Sequence, residues 1–373
     1  MTKISLFIIF VLTVKISYSQ LNLVSFHVQK DAIHLIDSTK SNEILKSLDL
    51  FLKSKDHDRD LLTNPEILKE NVEPFFWLNN FERTNKEKKG YQPTLLAILP
   101  LKENQYLIKV SFLETNDDNS EDHLLTYTLI LDKINGKYVF SNSVSYNSKN
   151  WNTQQVGSIK YIFPNKLNLE KAEELNKFNI NFAKKFNSAV IPLTYYKCYD
   201  PEQLFKLLGC DYIPNMYYST SGGLAESWHN TLLAGNNSEL YQHEIVHFYT
   251  QKLFPEYNRI VDEGYATYIG GSGGKDIKEL AQVADEYLKA NSKSDLIKLF
   301  TSFSRVQGGV PFTYIASGLI CKEIESKKGF ESILQLFKQT KNDDSYFQQI
   351  ENIMHIDKTN FPNFVKGLIN KYK

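Results

Sequence analysis

Apolar residues between Lys30 and Leu52, and again between Pro65 and Asn80, recur every three or four positions, the spacing that gathers side chains on one face of a helix. Ser41 and Asn64 stand as the candidate helix starts, because their side-chain oxygens can accept from the free N–H groups of a first turn. The pattern then changes. TLLAILPL, QYLIKVSFLE, LLTYTLILD and KYVFSNSVSY read as extended runs, set apart by turn signals such as Lys133-Ile134-Asn135-Gly136. Two helices followed by four antiparallel strands predict an α+β layer pair over residues 20–150.

In order of elements this half resembles the cystatin-like or nuclear-transport-factor-like cone, a resemblance that implies a fold and no activity. The stretch SKNWNTQQV, Ser148 to Val156, is polar and aperiodic and is expected to be the domain boundary. Beyond it the pattern predicts a strand in SIKYIFP, a long helix from Asn168 to Asn187, a strand in IPLTYYKC and a short helix in PEQLFKLLG. An extended stretch follows in SGGLAESWHNTLLAG. After Gly235 the chain is expected to be mostly helical, with helices over Ile277 to Ala290 and Gly318 to Thr340. Residues 156–373 thus form a second domain, which suits a chain of 373 residues.

The first twenty residues, MTKISLFIIFVLTVKISYSQ, carry Lys3, an apolar run from Ile4 to Val14 and a small-x-small site at Ser17-Tyr18-Ser19. This is the layout of an export signal over residues 1–19, cleaved after Ser19, which would make the protein secreted or periplasmic. The apolar run ends at Lys15, well short of the ~20 residues that span a bilayer, so no stable membrane anchor is expected. Lys+Arg and Asp+Glu both number 43, and no field of one sign points to nucleic acid or acidic lipid as a partner. Of three cysteines, Cys198 and Cys210 flank the short helix; they could be bridged in an oxidising compartment or stay as buried thiols. With Cys321 they lack a CxxC or Cys/His neighbour, so neither a cysteine metal site nor a cysteine nucleophile is supported.

Candidate chemistry lies in YQHEIVHFYT, Tyr241 to Thr250. Asn236-Asn237-Ser238 offers helix caps just ahead of it and Pro255 closes it, so His243 and His247 are expected on one helix. At about 100° and 1.5 Å per residue, two histidines four apart sit ~6 Å apart along nearly one line and can reach one ion. Glu244 stands one step round, where its carboxylate would meet a water and not the metal, and take a proton from it. A catalytic zinc needs three protein ligands and one open position. The pattern with a third histidine six positions on is excluded, because Thr250 and Leu253 occupy the Gly and His positions. Downstream, NRIVDEGYATYIGG brings Glu263, with Glu256 and Asp262 as rivals; Asp262 also suits a helix cap.

HEIVH with EGYATY resembles the gluzincin metallopeptidases of the thermolysin-like, MA-type group, which join HExxH to a glutamate in an EGxAxY-like helix. The resemblance implies His243, His247 and Glu263 as ligands of one Zn2+ per chain and Glu244 as general base. Gly264 would let the second helix approach its partner, and Ala266 would keep that face small. The spacing from His247 to Glu263 is shorter than in the aminopeptidase branch, marking a distant relative. Peptide hydrolysis passes through an oxyanion; in several gluzincins a tyrosine at the start of a later helix is its donor, so the resemblance implies Tyr314, four before Gly318, as the candidate, with His229 a weaker one. In this group extended substrates pair with an edge strand upstream of the metal helix, which assigns Gly222, Gly223, Leu224 and Glu226 to substrate binding. GLAES keeps the Gly and Glu of the aminopeptidase GxMEN strand and lacks its Met and Asn, so Glu226 also reads as a solvated edge residue.

The expectation is therefore an α+β protein: a helix-plus-antiparallel-sheet, cystatin-like domain followed by a thermolysin-like, mostly helical zincin domain. Its function would be that of an exported zinc peptidase acting on peptides or proteins. The alternative is a zincin-fold binding module with a structural or vestigial zinc. Nothing in the sequence reveals the oligomeric state.

Overall fold

The computed structural model describes residues 24–68, 74–85, 91–217, 225–228, 230–306 and 309–373. The export-signal segment lies outside them, as do Gly222, Gly223, Leu224 and His229. No described helix is long and apolar enough to cross a membrane. The protein is mixed α/β, with two sheets and a helical C-terminal region. It divides into two compact units, one of Met1–Asn150 with Glu202–Ser219 and one of Trp151–Pro201 with Thr220–Lys373.

In the first unit, β1 (His27–Val28) precedes α1 (Ser38–Lys53). Asp37 caps α1 through the Lys40 amide at 2.9 Å, so the helix starts later than Lys30 and Ser41 lies buried within its first turns. Asn64 does cap, accepting from Glu66 N at 3.1 Å, but the helix it opens, α2 (Pro65–Leu68), is one turn long, and α3 (Phe76–Thr84) is separate. β2 (Tyr91–Lys102), β3 (Gln105–Thr115), β4 (Glu121–Ile134) and β5 (Lys137–Ser141) form the antiparallel meander expected from their patterns. The fourth run stops at Ser141, and Val144–Asn147 turns into α4. Helix and sheet meet where Phe51 of α1 stacks on Phe140 of β5, with ring centroids 4.2 Å apart.

The second unit opens with β6 (Asn152–Val156), so the polar boundary stretch is in part a strand. β6 ends its sheet, and the exposed Asn152, Thr153 and Gln155 are what an edge tolerates. Then come β7 (Ile159–Phe163), α5 (Leu169–Lys185), capped by Asn168, and β8 (Leu193–Lys197). The chain returns to the first unit for α6 (Pro201–Leu207) and β9 (Cys210–Tyr212), which pairs with β4. Cys198, Cys210 and Cys321 are all buried free thiols, so the possible Cys198–Cys210 bridge is not formed. The extended stretch ahead of Gly235 is a hairpin, β10 (Ala225–Trp228) with β11 (Thr231–Ala234), turning at Asn230 with φ +67°. The sheet runs β10-β11-β8-β7-β6, parallel across its three central strands and antiparallel at both ends.

The helices that follow are α7 (Gln242–Leu253), α8 (Arg259–Gly270), α9 (Ile277–Ala290) and α10 (Leu296–Thr301). After them come α11 (Phe312–Lys328), α12 (Phe330–Gln339), α13 (Asp343–Met354) and α14 (Phe361–Tyr372). The single helix expected from Gly318 to Thr340 is broken by Gly329, whose φ of +82° is open to glycine and strained for other residues. They share one apolar core with the sheet.

Glu323 of α11 ties down the C-terminus, taking Lys371 at 2.6 Å, Lys327 at 2.7 Å and the Tyr372 hydroxyl. Burial works against its charge, but these hydrogen bonds outweigh burial and hold the carboxyl at about 2, below its ordinary 4.5. A depressed carboxyl stabilises the fold fully above its unfolded value, and that contribution fades as pH falls from 4.5 towards 2. Both lysines are half exposed, which weakens the pairs, so Glu323→Gln should cost about 1–3 kcal/mol at pH 7. Urea unfolding between pH 3 and 7 should show the gap between wild type and variant closing at acid pH; a constant gap would contradict the assignment.

Candidate metal centre

Helix α7 starts at Gln242, and its N-cap, Tyr241, makes no side-chain cap, so Asn236, Asn237 and Ser238 do not cap it. The chain entering it is held by a buried ion pair instead. Glu239 receives Lys197 Nζ at 2.6 Å and the Asn168 amide at 2.8 Å, while the Tyr161 and Tyr195 hydroxyls donate to the carbonyls of Glu239 and Ser238. On the inner face of α7, Tyr249 donates to Asn179 Oδ1 of α5 at 2.6 Å. Thus one face of the helix packs on the core while His243, Glu244 and His247, all buried, stand together.

Helix α8 is capped by Asn258, whose Oδ1 accepts from Ile260 N at 2.7 Å, and not by Asp262. Two glycines let it approach its neighbours. A Cβ on Gly264 would stand 2.1 Å from Ser317 Oγ of α11, and one on Gly270 would stand 2.2 Å from the backbone nitrogen of His243. Ala266 is fully buried. Close packing of α8 against α7 and α11 therefore brings Glu263 to the histidines.

The rings of His243 and His247 lie 4.9 Å apart. His243 Nδ1 is 2.7 Å from the Gly271 carbonyl, and His247 Nδ1 is 2.8 Å from Asp262 Oδ2. Both partners accept, so each Nδ1 carries the proton and each Nε2 can present a lone pair. Those two Nε2 atoms lie 3.4 and 3.6 Å from one atom, Glu263 Oε2. Ligand atoms about 2.05 Å from a tetrahedral ion are separated by roughly 3.3 Å, so both distances to Glu263 Oε2 are close to the spacing of ligands around a metal. Glu244 also comes near: one ligand atom each from His243, Glu244 and His247 lies within 4.8 Å of the others, a group that could hold a metal ion.

The electrostatics follow from burial and these contacts. Burial opposes charge on Glu263, but His243, His247 and the Tyr314 hydroxyl outweigh it and hold the carboxyl at about 2. Burial pulls His247 down, and Asp262 more than reverses this, raising it to about 10. A metal must displace the proton that results. Glu244 is moved the other way: burial raises its carboxyl, against the partial pull of His247 and His243.

Tyr314, in the first turn of α11, reaches the same place. Its hydroxyl accepts from Arg259 Nη2 at 3.4 Å, and its ring lies 6.5 Å from that of His243. Glu256 does not; it is exposed and paired with Lys341 at 2.7 Å. Asp262 faces the far side of His247, where it also takes Thr250 Oγ1 and Gln251 Nε2 at 3.3 Å. Glu226 lies on β10, the terminal strand of its sheet, opposite Leu233 of β11. Sequence reasoning missed Arg259, although its place four before Glu263 on one helix face was readable. The chain matches no family model, no curated protein and no solved structure.

Proposed function

We propose that the protein is an exported zinc-dependent peptidase, a distant gluzincin with a cystatin-like N-terminal domain and a thermolysin-like catalytic domain. The observation that carries the reading is the convergence of His243 Nε2 and His247 Nε2 on Glu263 Oε2 at 3.4 and 3.6 Å, with both Nδ1 atoms already engaged. Two imidazoles and one carboxylate are a donor set that suits zinc, and three protein ligands leave a position open. Zinc in such a site supplies Lewis acidity and brings the pKa of water towards about 7.

The remaining roles belong to the protein. Glu244, raised by burial, accepts the proton of the attacking water and passes it to the leaving amine. Tyr314, also raised by burial, keeps its hydroxyl proton at neutral pH and can donate to the developing oxyanion. Asp262 holds His247 in one tautomer and orientation. β10 ends its sheet and offers an edge to which an extended peptide can add as a further strand. A mixed peptide library incubated with the metal-depleted chain should stay intact and should be cleaved once zinc is restored; no cleavage in either state would sink the reading.

A further inference from the structure

Arg259 opens α8 one turn before Glu263 and puts a cation beside the candidate metal centre. Its contacts there are weak. Nε lies 3.7 Å from Glu263 Oε1, beyond hydrogen-bonding range, and Nη2 reaches the Tyr314 hydroxyl at 3.4 Å. Glu263 meanwhile faces the two histidines through its other oxygen. Among the described residues no other carboxylate pairs with Arg259, and the side chain is 66% exposed. These two contacts occupy at most two of the five donors of a guanidinium. A cation held this loosely, at the edge of a site that would bind peptide, has donors and charge left for a ligand.

Its position is nevertheless built. The guanidinium carbon stands 4.8 Å over the ring of Phe303, which in turn meets Tyr314 edge-on with centroids 6.3 Å apart. Phe303 has φ +53°, in the left-handed region that bulky side chains rarely adopt. Backbone strain of this kind persists where the surroundings enforce it, and it gathers at ligand sites. Here it sets an aromatic floor under a cation whose other face is exposed.

We propose that Arg259 determines specificity by taking a carboxylate of the bound peptide, either the C-terminal carboxylate or an Asp or Glu side chain next to the scissile bond. The assignment rests on the peptidase reading. A planar guanidinium with free donors matches a carboxylate through two parallel hydrogen bonds, which an amide cannot reproduce.

The test uses the zinc-loaded full chain and four peptides of one sequence, with a free or amidated C-terminus and with Glu or Gln beside the scissile bond. In wild type, kcat/KM should be about 10- to 100-fold higher for the carboxylate form, and Arg259→Met should bring that ratio close to one. Arg259→Lys, which keeps the charge without the fork, should fall between. The pair that shows the preference, free against amidated or Glu against Gln, identifies which carboxylate is read. Binding of the same fluorescent-labelled peptides to the Glu244→Gln chain gives a second readout without turnover. Equal cleavage and binding of all four peptides by chains with Arg259 intact, or a ratio that survives in Arg259→Met, would overturn the proposal. If wild type cleaves none of the peptides while the Glu244→Gln chain binds the carboxylate forms more tightly and Arg259→Met abolishes the difference, the peptidase reading fails and the Arg259 assignment stands.

Discussion

Replacing Glu244 by Gln should lower kcat for peptide hydrolysis about 10²- to 10⁴-fold, while zinc stays bound and KM changes little. The amide has the size of the carboxyl it replaces but cannot accept a proton, and none of the three atoms that converge at 3.4 and 3.6 Å belongs to Glu244. Burial makes the native carboxyl a stronger base than an exposed one, so the loss falls on the proton-transfer step. Steady-state kinetics and metal content of the same preparations check both halves. Zinc held equally by wild type and variant, with equally negligible cleavage, would point to a zincin-fold binding module. An unchanged kcat in an active enzyme would remove Glu244 from the chemistry.

The second large effect is expected at a residue without a side chain. In Gly270→Ala the new Cβ would lie 2.2 Å from His243 N and 2.6 Å from its Cα. Both are backbone atoms that cannot swing aside, so α7 and α8 must separate by about 1 Å to reach ordinary contact. Overpacking of that kind costs about 1–3 kcal/mol, and a misplacement of ~1 Å in a catalytic constellation costs on the order of 10² in rate. Zinc affinity should fall as well, because the shift carries His243 away from Glu263. Gly367→Ala is the control: its Cβ meets nothing within 4 Å, and alanine should be neutral or slightly stabilising there. Thermal melts and competition against a zinc chelator read both variants. A Gly270→Ala chain that binds zinc like wild type would show that the two helices do not need this contact.

The regular elements were legible where one physical signal dominated. Ile277–Ala290 matched its apolar spacing to the residue, aided by the Asp276–Glu279 capping box, and β2 to β5 of the first unit followed their composition. The misses have separate causes. β6 looked like a linker because an edge strand exposes polar side chains, and Gly329 ended a helix whose apolar period continued beyond it. The return of α6 and β9 to the first unit depends on a pairing between residues far apart in sequence, such as Thr126 with Tyr212, that local pattern does not carry.

At the candidate site, spacing along one helix was enough to group His243, Glu244 and His247, because a helix fixes which side chains share a face, whereas Glu263 was singled out from Glu256 and Asp262 only by the resemblance of EGYATY to the gluzincin motif. Roles set by packing across helices were not readable. Asp262 suited a cap or a rival ligand in the sequence, and only the docking of α8 on α7 turns it towards His247 Nδ1. The Gly271 carbonyl behind His243 and the Phe303–Arg259–Tyr314 group likewise exist only through tertiary contact.

The central claim, a zinc-dependent peptidase built on His243, His247 and Glu263, is tested most directly by titrating zinc into the metal-free full chain while following cleavage of a peptide library. The account predicts no cleavage without metal and activity that rises to a plateau at one zinc per chain. Cleavage by the metal-free chain, or a fully zinc-loaded chain that leaves every peptide intact, would contradict it.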